Sequence, residues 1–422
     1  MKLFAVTGNP IFFSNSPNIF NTFFKINNDD AKYLKLAANT AEEAIKLFND
    51  LNLSGMSVTA PFKTDIMPYL DEIDDLANNI GSVNTIIREN NKLIGFNTDY
   101  YGVLNSLSNV SNKKVLVLGA GGAAKAVIYS LSKNGAKVIV TNRTLNKAKK
   151  LSKKFKISHI SINNIESKIN NIDIIINTIP NGIKLINDDW LNKNHIIFDA
   201  IYNNSVYKAV AKEKHIEFIN GRQWLLNQAI IAYKLFFKKD IKINANSINF
   251  ETKQKDKIIF IGFMGSGKSS IAEKTAKKYN IKHFSTDDII SNKENLSINE
   301  IFKKYGEKYF RDTEKEILSM LSSMAGKGII STGGGAVLNK ENRAIILNNY
   351  ISIWLYADIE TIMKRTKPDN RPLLKNNFTK EYVTKLMNER INYYAMSADI
   401  VVNTSNKNIF EVINILSSII TK

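Results

Sequence analysis

The stretch KKVLVLGAGGAAKAVIYSLSKNGAKVIVTNRT, residues 113–144, decides the architecture of much of this chain. An apolar run ends at the glycine turn GAGGAA (119–124), a helical pattern follows, and a second apolar run ends in VTNRT. This order is that of a β-α-β unit, which builds a parallel sheet. Further apolar runs, DIIINT and HIIFDA, continue the pattern. We therefore predict a doubly wound α/β domain around this stretch.

A second glycine loop, with a different motif, lies much later in the chain. GFMGSGKSS, residues 262–270, follows the apolar run KIIFI and precedes a helical pattern. It fits G-x-x-x-x-G-K-S, in which backbone amides hold phosphates, the lysine reaches the β and γ oxygens and the hydroxyl binds Mg²⁺. Lys268 and Ser269 take these last two roles, Ser269 being the predicted metal ligand. The other loop residues expected to contact ATP are Gly262, Met264, Gly265, Ser266, Gly267 and Ser270.

Length and composition set broad limits on the kind of protein. At 422 residues the chain is expected to hold two or three domains of roughly 100–200 residues each. It has no cysteine, which excludes disulfides and cysteine–zinc sites and suits a reducing compartment. The start MKLFAVTGNP is a strand and turn pattern, not a signal peptide, and no apolar run approaches membrane-spanning length. We expect a cytoplasmic protein without membrane contacts, and the sequence leaves monomer and homodimer open.

The net charge of +19 raises the question of nucleic-acid binding. Lysines are scattered among asparagines and isoleucines along the whole chain, and no aromatic platform is interleaved with them. This pattern favours a compositional bias over a nucleic-acid surface. We therefore expect no nucleic-acid partner, and a basic nucleic-acid-binding protein with incidental nucleotide loops is the weaker alternative.

The first glycine loop is a dinucleotide-binding pattern, G-x-G-x-x-A, with backbone amides open to a pyrophosphate. At the end of the next strand, where NAD-binding proteins usually carry a carboxylate, this chain has VTNRT. A guanidinium and a hydroxyl suit a 2′-phosphate, which favours NADP over NAD. Taken alone, Arg143 could equally be a solvated residue at a strand end. The predicted cofactor contacts are Gly119, Ala120, Gly121, Gly122, Ala123, Asn142, Arg143, Thr144 and Lys147.

Short motifs before and after this region complete a pattern. They are GNPIFFSNSP, VTAPFK, GSVNT, the NTD of GFNTD, GAGGAA, NRT, and the glutamine of LLNQA. Together they closely resemble the shikimate dehydrogenase family over residues 1–239. The resemblance implies that Lys63 and Asp99 flank the reacting carbon, with the lysine polarising and protonating the ketone oxygen as hydride arrives. It also implies substrate contacts from Ser14, Ser16, Thr59, Asn84, Tyr202 and Gln228.

Two residues depart from the family's pattern. Phe13 stands where the family often has histidine, so a polar contact is lost from that loop. Ser57 replaces the common asparagine before VT and can still hydrogen-bond. Neither change removes the lysine–aspartate pair.

The motifs after the second glycine loop are STDD, GEKYFRDTE, IISTGGGAV, NRPLL and NERINYY. In this order and spacing they resemble shikimate kinase over residues 257–422. The resemblance implies that Asp287 holds the acceptor hydroxyl and is the candidate to deprotonate it. Arginine forks would grip the acceptor carboxylate, and a lid arginine would reach the transferring phosphoryl group. The implied set is Arg311 and Arg390 for the carboxylate, Gly333, Gly334 and Gly335 for the hydroxyls, Phe310 as a wall, Glu314 to position an arginine, Arg371 on the lid and Arg365 near the adenine.

One departure in the kinase-like region concerns the metal. The family's usual Asp-Ser/Thr-Asp reads Ser285, Thr286, Asp287 here. The missing acid normally helps to hold Mg²⁺ through water, so a working but weaker metal site is expected unless Asp288 or another acid substitutes. The alternative is an active dehydrogenase joined to a nucleotide-binding module with weak or no kinase turnover.

Both resemblances imply an enzyme that acts on shikimate, as product of the first reaction and substrate of the second. They imply NADPH-dependent reduction of 3-dehydroshikimate to shikimate, then ATP- and Mg²⁺-dependent phosphorylation to shikimate 3-phosphate, as in chorismate and aromatic amino acid biosynthesis. The expected partners are these small molecules. The predicted division is a dehydrogenase-like region 1–245, with a substrate domain (1–100 and 216–245) and a Rossmann-type NADP domain (101–215), a linker 246–256, and a P-loop kinase-like domain 257–422.

Overall fold

The computed structural model describes residues 1–180, 183–241, 243, 248, 250, 255–367, 374 and 377–420. The chain divides into two compact units. The first comprises Met1–Pro17, Asn28–Leu53 and Asn249–Lys422, and the second Asn18–Asn27 and Ser54–Ile248. Most of the predicted linker, 246–256, lies outside the described residues, and the predicted domain boundaries remain a prediction. No helix in the described part of the chain has the length and apolarity needed to cross a membrane.

The strands and helices are numbered in chain order. The strands are β1 (Lys2–Gly8), β2 (Ala31–Ala37), β3 (Gly55–Val58), β4 (Glu72–Ile73), β5 (Thr85–Glu89), β6 (Lys92–Phe96), β7 (Lys114–Leu118), β8 (Lys137–Thr141), β9 (Ser158–His159), β10 (Ile174–Asn177), β11 (Ile196–Asp199), β12 (Glu217–Asn220), β13 (Lys257–Ile261), β14 (Lys282–Ser285), β15 (Gly328–Ser331), β16 (Tyr350–Tyr356) and β17 (Ile400–Asn403). The helices are α1 (Ser16–Ile26), α2 (Ala41–Asp50), α3 (Asp75–Ile80), α4 (Asp99–Leu104), α5 (Gly122–Lys133), α6 (Leu145–Phe155), α7 (Glu166–Ile169), α8 (Lys208–Glu213), α9 (Gly221–Phe237), α10 (Lys268–Tyr279), α11 (Thr286–Glu294), α12 (Ile298–Ser323), α13 (Lys340–Asn349), α14 (Ile359–Arg365), α15 (Lys380–Ser397) and α16 (Ile409–Ile420).

The second unit contains the predicted β-α-β unit as β7, α5 and β8. These strands belong to a parallel sheet in the order β12, β11, β10, β7, β8, β9. Alternate residues of β7 enter different cores: Val115 and Val117 pack with α5, whereas Leu116 and Leu118 join the opposite cluster. Both faces are therefore covered, as a doubly wound sheet requires. The predicted α/β class is confirmed. The same unit also contains β3, β5, β6 and β4, in which β5 pairs antiparallel with β3 and β6.

The first unit is built around a parallel sheet in the order β14, β15, β13, β16, β17, β2, β1. Its central strands are buried along nearly their whole length. This explains why KIIFI, YISIWLY and IVVN are continuous apolar runs rather than alternating ones. Strand β13 leads into the second glycine loop and then α10, which confirms the predicted P-loop architecture.

Helix α12 presents three of the predicted acceptor-site residues. It begins with a capping box in which Ser297 and Glu300 bond each other's backbone amides. Gly306 then interrupts the helical geometry at a φ of 82°, a conformation that glycine adopts without strain. The part of α12 after this glycine carries Phe310, Arg311 and Glu314.

Candidate active sites

Lys63 and Asp99 form an ion pair in the second unit. Lys63 follows β3 after the rigid Pro61 turn, and Asp99 begins α4 directly after β6. The distance from Lys63 Nζ to Asp99 Oδ2 is 2.5 Å, and the side chains are 13% and 7% exposed. Trp224 Nε1 donates to Asp99 Oδ1 at 3.1 Å. Because both carboxylate oxygens accept hydrogen bonds, Asp99 fixes the position of the lysine ammonium.

Beside this pair lies a buried cluster of amides and a hydroxyl. Asn84 Oδ1 accepts from the Thr98 backbone amide at 2.7 Å, and Asn84 Nδ2 donates to Thr98 Oγ1 at 3.0 Å. Thr98 Oγ1 in turn donates to Gln228 Oε1 at 3.1 Å. The structure thus brings together Asn84 and Gln228, which are 144 positions apart. Thr98 precedes Asp99 in the chain, so the cluster and the ion pair share one backbone turn.

Two residues of this site, Thr98 and Trp224, are not among the predicted ones. Thr98 stands inside the NTD motif, and Trp224 lies one helical turn before Gln228 on α9. That i, i+4 spacing was the available signal, since it places both side chains on one face of the helix.

The remaining predicted substrate contacts lie in loops, except Ser16, which is the first residue of α1. Thr59 lies after β3 and Tyr202 after β11, and both are half-buried. In the first unit, Ser14 Oγ and Ser16 Oγ are 3.2 Å apart, so the two hydroxyls form one small polar cluster. Phe13, at the position where a histidine is expected, is 45% exposed.

The first glycine loop lies against Lys63. A Cβ on Gly122, the first residue of α5, would lie 2.8 Å from Lys63 Cβ, so this approach requires glycine. A Cβ on Gly121 would have no neighbour within 4 Å, which leaves the backbone open on that side. Gly119 has a φ of 116°, and a Cβ there would lie 2.4 Å from Thr178 Oγ1. The loop therefore combines a helix N-terminus with open backbone beside the lysine, the arrangement that suits a pyrophosphate.

The residues after β8 present polar groups to solvent. Asn142 Nδ2 donates to the Thr144 carbonyl at 3.1 Å, and α6 starts directly after Thr144. Arg143, Thr144 and Lys147 are at least partly exposed, while Ala120 and Ala123 pack on the core of the unit. With two cations and a hydroxyl but no acid in this turn, the chemistry fits a phosphate rather than a ribose diol.

The second glycine loop is wound tightly in the first unit. Gly262, Gly265 and Gly267 have φ values of 145°, 78° and 90°. A Cβ on Gly262 would lie 2.4 Å from the Leu355 carbonyl oxygen. Lys268, 7% exposed, donates through Nζ to the carbonyls of Gly262 and Phe263 at 2.8 and 2.9 Å. Met264 and Ser266 of the loop are buried, and the exposed Ser269 and Ser270 follow Lys268 in the first turn of α10.

An acidic pair lies at the far end of this site. A Cβ on Gly333 would lie 2.9 Å from both Asp287 Oδ1 and Glu314 Oε1, so the two carboxyl groups approach one glycine. Glu314 is fully buried and its Oε2 accepts from Arg311 Nη1 at 2.8 Å. Burial raises the pKa of the Glu314 carboxyl to about 7, although Arg311 opposes the shift, and nearby Asp287 adds to it.

Arg311 is held in one orientation. Its Nε and Nη2 donate to Glu307 Oε1 at 3.3 and 3.1 Å, and its guanidinium lies 5.2 Å from the ring centre of the buried Phe310. A Cβ on Gly335 would lie 2.2 Å from Arg311 Nη2, so any larger residue there would displace the guanidinium. A Cβ on Gly334 would lie 3.3 Å from the Met264 amide, which places the GGG turn (residues 333–335) against the second glycine loop.

Arg390 is the second guanidinium of this site, and it is buried more deeply than Arg311. It is 6% exposed and lies 5.7 Å from the ring centre of Phe263. Tyr394, one turn later on α15, hydrogen-bonds with Arg390 and donates to the Gly334 carbonyl at 2.6 Å. Burial raises the pKa of Tyr394, so the phenol stays protonated and remains a donor. Tyr394 is not among the predicted residues, although NERINYY contains it.

Arg365 and Ser285, which the sequence analysis also named, both lie at helix ends. Arg365 ends α14 and donates through Nη2 to the carbonyls of Thr404 and Lys407 at 2.9 and 3.0 Å. Ser285 caps α11, its Oγ accepting from the Asp288 amide at 3.2 Å. Arg371 lies outside the described residues. Among the described residues no three His, Cys, Asp or Glu side chains form a group that could hold a metal.

The comparisons with known proteins cover both halves of the chain. The family model of the shikimate dehydrogenase substrate binding domain matches residues 6–86, that of shikimate / quinate 5-dehydrogenase matches 103–214, and that of shikimate kinase matches 264–421. The shikimate dehydrogenase (NADP(+)) of Aquifex aeolicus is 40% identical over 246 residues, covering 56% of this chain and 91% of that protein.

Solved structures agree with this assignment. The crystal structure of shikimate dehydrogenase from Aquifex aeolicus aligns with a TM-score of 0.55 at 38% identity, covering 57% of this chain and 94% of that one. The enzyme from Thermus thermophilus, solved in complex with NADP(H) and shikimate, aligns with a TM-score of 0.53 at 26% identity, covering 57% and 95%. The chain therefore belongs to the shikimate dehydrogenase family and carries, after that region, a shikimate kinase domain.

Proposed function

We propose that this chain catalyses two consecutive reactions: reduction of 3-dehydroshikimate to shikimate with NADPH, and phosphorylation of shikimate at its 3-hydroxyl with ATP and Mg²⁺. The observation that carries the proposal is that each glycine loop adjoins its own set of substrate-binding groups. The first loop lies against Lys63, and the second against the GGG turn with Asp287 and Arg311. Relatives named shikimate dehydrogenase (NADP(+)) support the first reaction, and the shikimate kinase match supports the second.

At the first site, Lys63 is the proton donor. When bound, NADPH supplies the hydride that converts the ketone carbon to a secondary alcohol. The ketone oxygen gains negative charge in that step, and the Lys63 ammonium next to it stabilises the charge and donates the proton. Asp99 keeps the ammonium in place through the 2.5 Å contact. The cluster of Asn84, Thr98 and Gln228 offers acceptors and donors for the ring hydroxyls.

The residues present fit the dinucleotide. The open backbone at Gly121 and the N-terminus of α5 would hold the pyrophosphate. Arg143, Thr144 and Lys147 would hold the 2′-phosphate, because they place positive charge and a hydroxyl where an NAD site would carry an acid. Ser14 and Ser16 would bind the substrate carboxylate.

At the second site, the chain supplies binding, orientation and a proton acceptor. Arg311 and Arg390 would hold the shikimate carboxylate, and Asp287 would accept the proton of the attacking hydroxyl. Lys268 and the amides of the glycine loop would hold the ATP phosphates. Ser269 would hold Mg²⁺ together with those phosphates, an arrangement that needs no all-protein cage. When bound, Mg²⁺·ATP supplies the phosphoryl group, and Arg371 would stabilise its charge.

One observation favours a second candidate, a C-terminal module that binds nucleotide with little kinase turnover. Ser285 stands where an acid is expected, and its hydroxyl serves as the cap of α11. A neutral cap cannot attract a hydrated Mg²⁺ as a carboxylate would.

The test is a paired assay on the purified full chain. One cuvette follows NADPH oxidation with 3-dehydroshikimate, and the other follows ADP release with shikimate, ATP and Mg²⁺. Activity in both supports the bifunctional enzyme, and the coupling between phosphorus and the ring protons in the NMR spectrum of the product identifies the phosphate position. NADPH oxidation without shikimate-dependent ADP release supports the second candidate, and recovery of ADP release in Ser285→Asp would identify the missing acid as the cause.

A further inference from the structure

Helix α2 carries a polar face whose role is not explained by either reaction. Glu43, Lys46 and Asp50 follow each other at intervals of three and four, which places them on one side of the helix. The residues between them, including Ala44 and Leu47, are buried against the other side. Helix α2 belongs to the stretch that matches the dehydrogenase substrate binding domain, yet Glu43 and Lys46 bind residues of the kinase domain within the first unit.

Glu43 makes the largest set of these bonds. Its Oε1 accepts from Asn403 Nδ2 at 2.9 Å and pairs with Lys407 Nζ. The side chains of Glu43 and Lys407 are only 12% and 13% exposed, so this ion pair is largely shielded from water. Its Oε2 accepts from the Asn39 amide at 2.9 Å, which anchors the carboxylate to its own chain segment. Glu43 therefore holds both ends of a short loop in the kinase domain.

The segment held by Glu43, residues 403–407, begins at the last residue of β17 and contacts the second glycine loop directly. Thr404 Oγ1 donates to the carbonyl of Ser266 in the second glycine loop at 3.1 Å. Arg365 Nη2 donates to the carbonyls of Thr404 and Lys407. The segment is thus bonded both to the second glycine loop and to Arg365, the arginine predicted to lie near the adenine. Its position sets the geometry of that side of the nucleotide site.

Two neighbouring contacts support the same attachment. Lys46 Nζ lies 3.1 Å from Asp358 Oδ2, and Asp358 caps α14, the helix that ends in Arg365. Strand β17 pairs in parallel register with β2, with Ile400 opposite Lys35 and Val402 opposite Ala37. The edge of the kinase sheet is therefore covered by a strand of the dehydrogenase-family stretch rather than by solvent.

We propose that Glu43 is a positioning residue for the nucleotide site of the kinase domain, acting through the 403–407 segment. The proposal rests on the second glycine loop binding ATP. Removing the carboxylate takes away the partner that Asn403 and Lys407 share, so the segment loses one of its anchors and its position becomes less well defined before nucleotide arrives. Its bonds to Ser266 and Arg365 remain, so the effect is partial. ATP affinity then falls by about tenfold, within the usual range of couplings between sites, while the turnover number changes little and the dehydrogenase reaction is unaffected.

The experiment compares Glu43→Ala, Glu43→Gln and the control Glu42→Ala in the full chain. Glu42 is the exposed neighbour on the same helix. ATP binding is measured by titration with a fluorescent N-methylanthraniloyl ATP, which needs no turnover, and KM and kcat are measured for ATP. We expect about tenfold weaker binding and a raised KM in Glu43→Ala, partial recovery in Glu43→Gln, which still accepts from Asn403, and no change in Glu42→Ala.

A double-mutant cycle of Glu43→Ala with Lys407→Ala separates positioning from general destabilisation. Because the two residues form one pair, their effects on ATP binding should be less than additive. Unchanged ATP affinity in folded Glu43→Ala overturns the proposal, as do fully additive effects. If Glu43→Ala does not fold, Glu43→Gln and Lys407→Gln supply the same comparison. A wild-type chain that binds no ATP instead overturns the proposed kinase function, and the present proposal with it.

Discussion

The two glycine loops offer different groups to a phosphate. At the loop of residues 119–124, the charges that would face the nucleotide, Arg143 and Lys147, come from another turn and are exposed. At the loop of residues 262–268, the cation is part of the loop itself and is nearly buried, with Lys268 bonded to two loop carbonyls. The first loop contributes mainly backbone amides, and the second contributes amides and a charge together.

This difference indicates where each site concentrates its binding energy. A buried lysine acts in a low-dielectric setting, where its interaction with a phosphate is strong. Exposed cations at the other loop are screened by water and salt, so they tune the choice of cofactor more than its affinity. The loss of activity caused by a mutation should therefore differ between the two loops. A mutation at either site should leave the other reaction intact.

The largest effect is expected at the dehydrogenase pair. Lys63→Ala removes the proposed proton donor and should lower kcat for 3-dehydroshikimate reduction by about 10³-fold, within the range for general acid catalysis. Shikimate-dependent ADP release should stay within about twofold, as for couplings between independent sites. The exposed Lys92→Ala is the matched control. Loss of both activities in a folded Lys63→Ala protein would refute the independence of the two sites.

The next largest effect is expected at the second loop. Lys268→Ala should lower kinase kcat/KM by about 10²–10³-fold, the usual result of removing one preorganised charge stabiliser. NADPH oxidation should not change. Lys277→Ala, exposed on the same helix α10, serves as control. A loss confined to a few fold would mean that the backbone amides, and not the lysine, dominate phosphate binding here.

A smaller effect is expected at the exposed turn after β8. Arg143→Ala should raise the KM for NADPH by about tenfold, which corresponds to one charge-assisted hydrogen bond, and should leave the KM for NADH nearly unchanged. The preference for NADP over NAD falls accordingly. Lys150→Ala, exposed on the following helix, is the control. An equal loss toward both cofactors would assign Arg143 to the shared part of the dinucleotide instead.

The smallest effect is a pH dependence confined to the kinase site. The pKa of Glu314 is raised by burial to about 7, so its carboxylate pairs fully with Arg311 only above that pH. As pH falls from about 8 to about 6.5, protonation should weaken the orientation of Arg311 and lower shikimate affinity by up to about fourfold. Calorimetric titration with shikimate measures this. Glu314→Gln should give a flat profile at the weaker affinity.

The same pKa also has a consequence for stability. A buried acid with a raised pKa holds a proton that the unfolded chain releases between about pH 4.5 and 7. The native state should therefore lose stability as pH rises through this window, and Glu314→Gln should lose less. A denaturant titration at about pH 5 and about pH 8 compares the two proteins, and equal slopes with pH would contradict the raised pKa.

Much of the fold and many of the candidate site residues follow from short stretches of sequence. A glycine loop lies between a strand and a helix within about ten residues, so local order alone identifies β7–α5 and β13–α10. Lys63, Asp99, Asp287 and Arg311 stand in motifs whose spacing is equally local. The roles of all the candidate site residues, Tyr202 and Arg371 included, remain predictions.

Only the tertiary structure decides the contacts made between distant parts of the chain. Trp224 bonds Asp99 across 125 positions, and Asn403 bonds Glu43 across 360. The periodicity of apolar residues in the sequence does not predict these two hydrogen bonds. It indicates which face of a helix or strand is buried, but not which other element covers that face. The sequence by itself determined two nucleotide loops and their neighbouring motifs. Folding decided that β2 covers the edge of the kinase sheet, since an edge strand's backbone groups accept any strand that packing brings beside them.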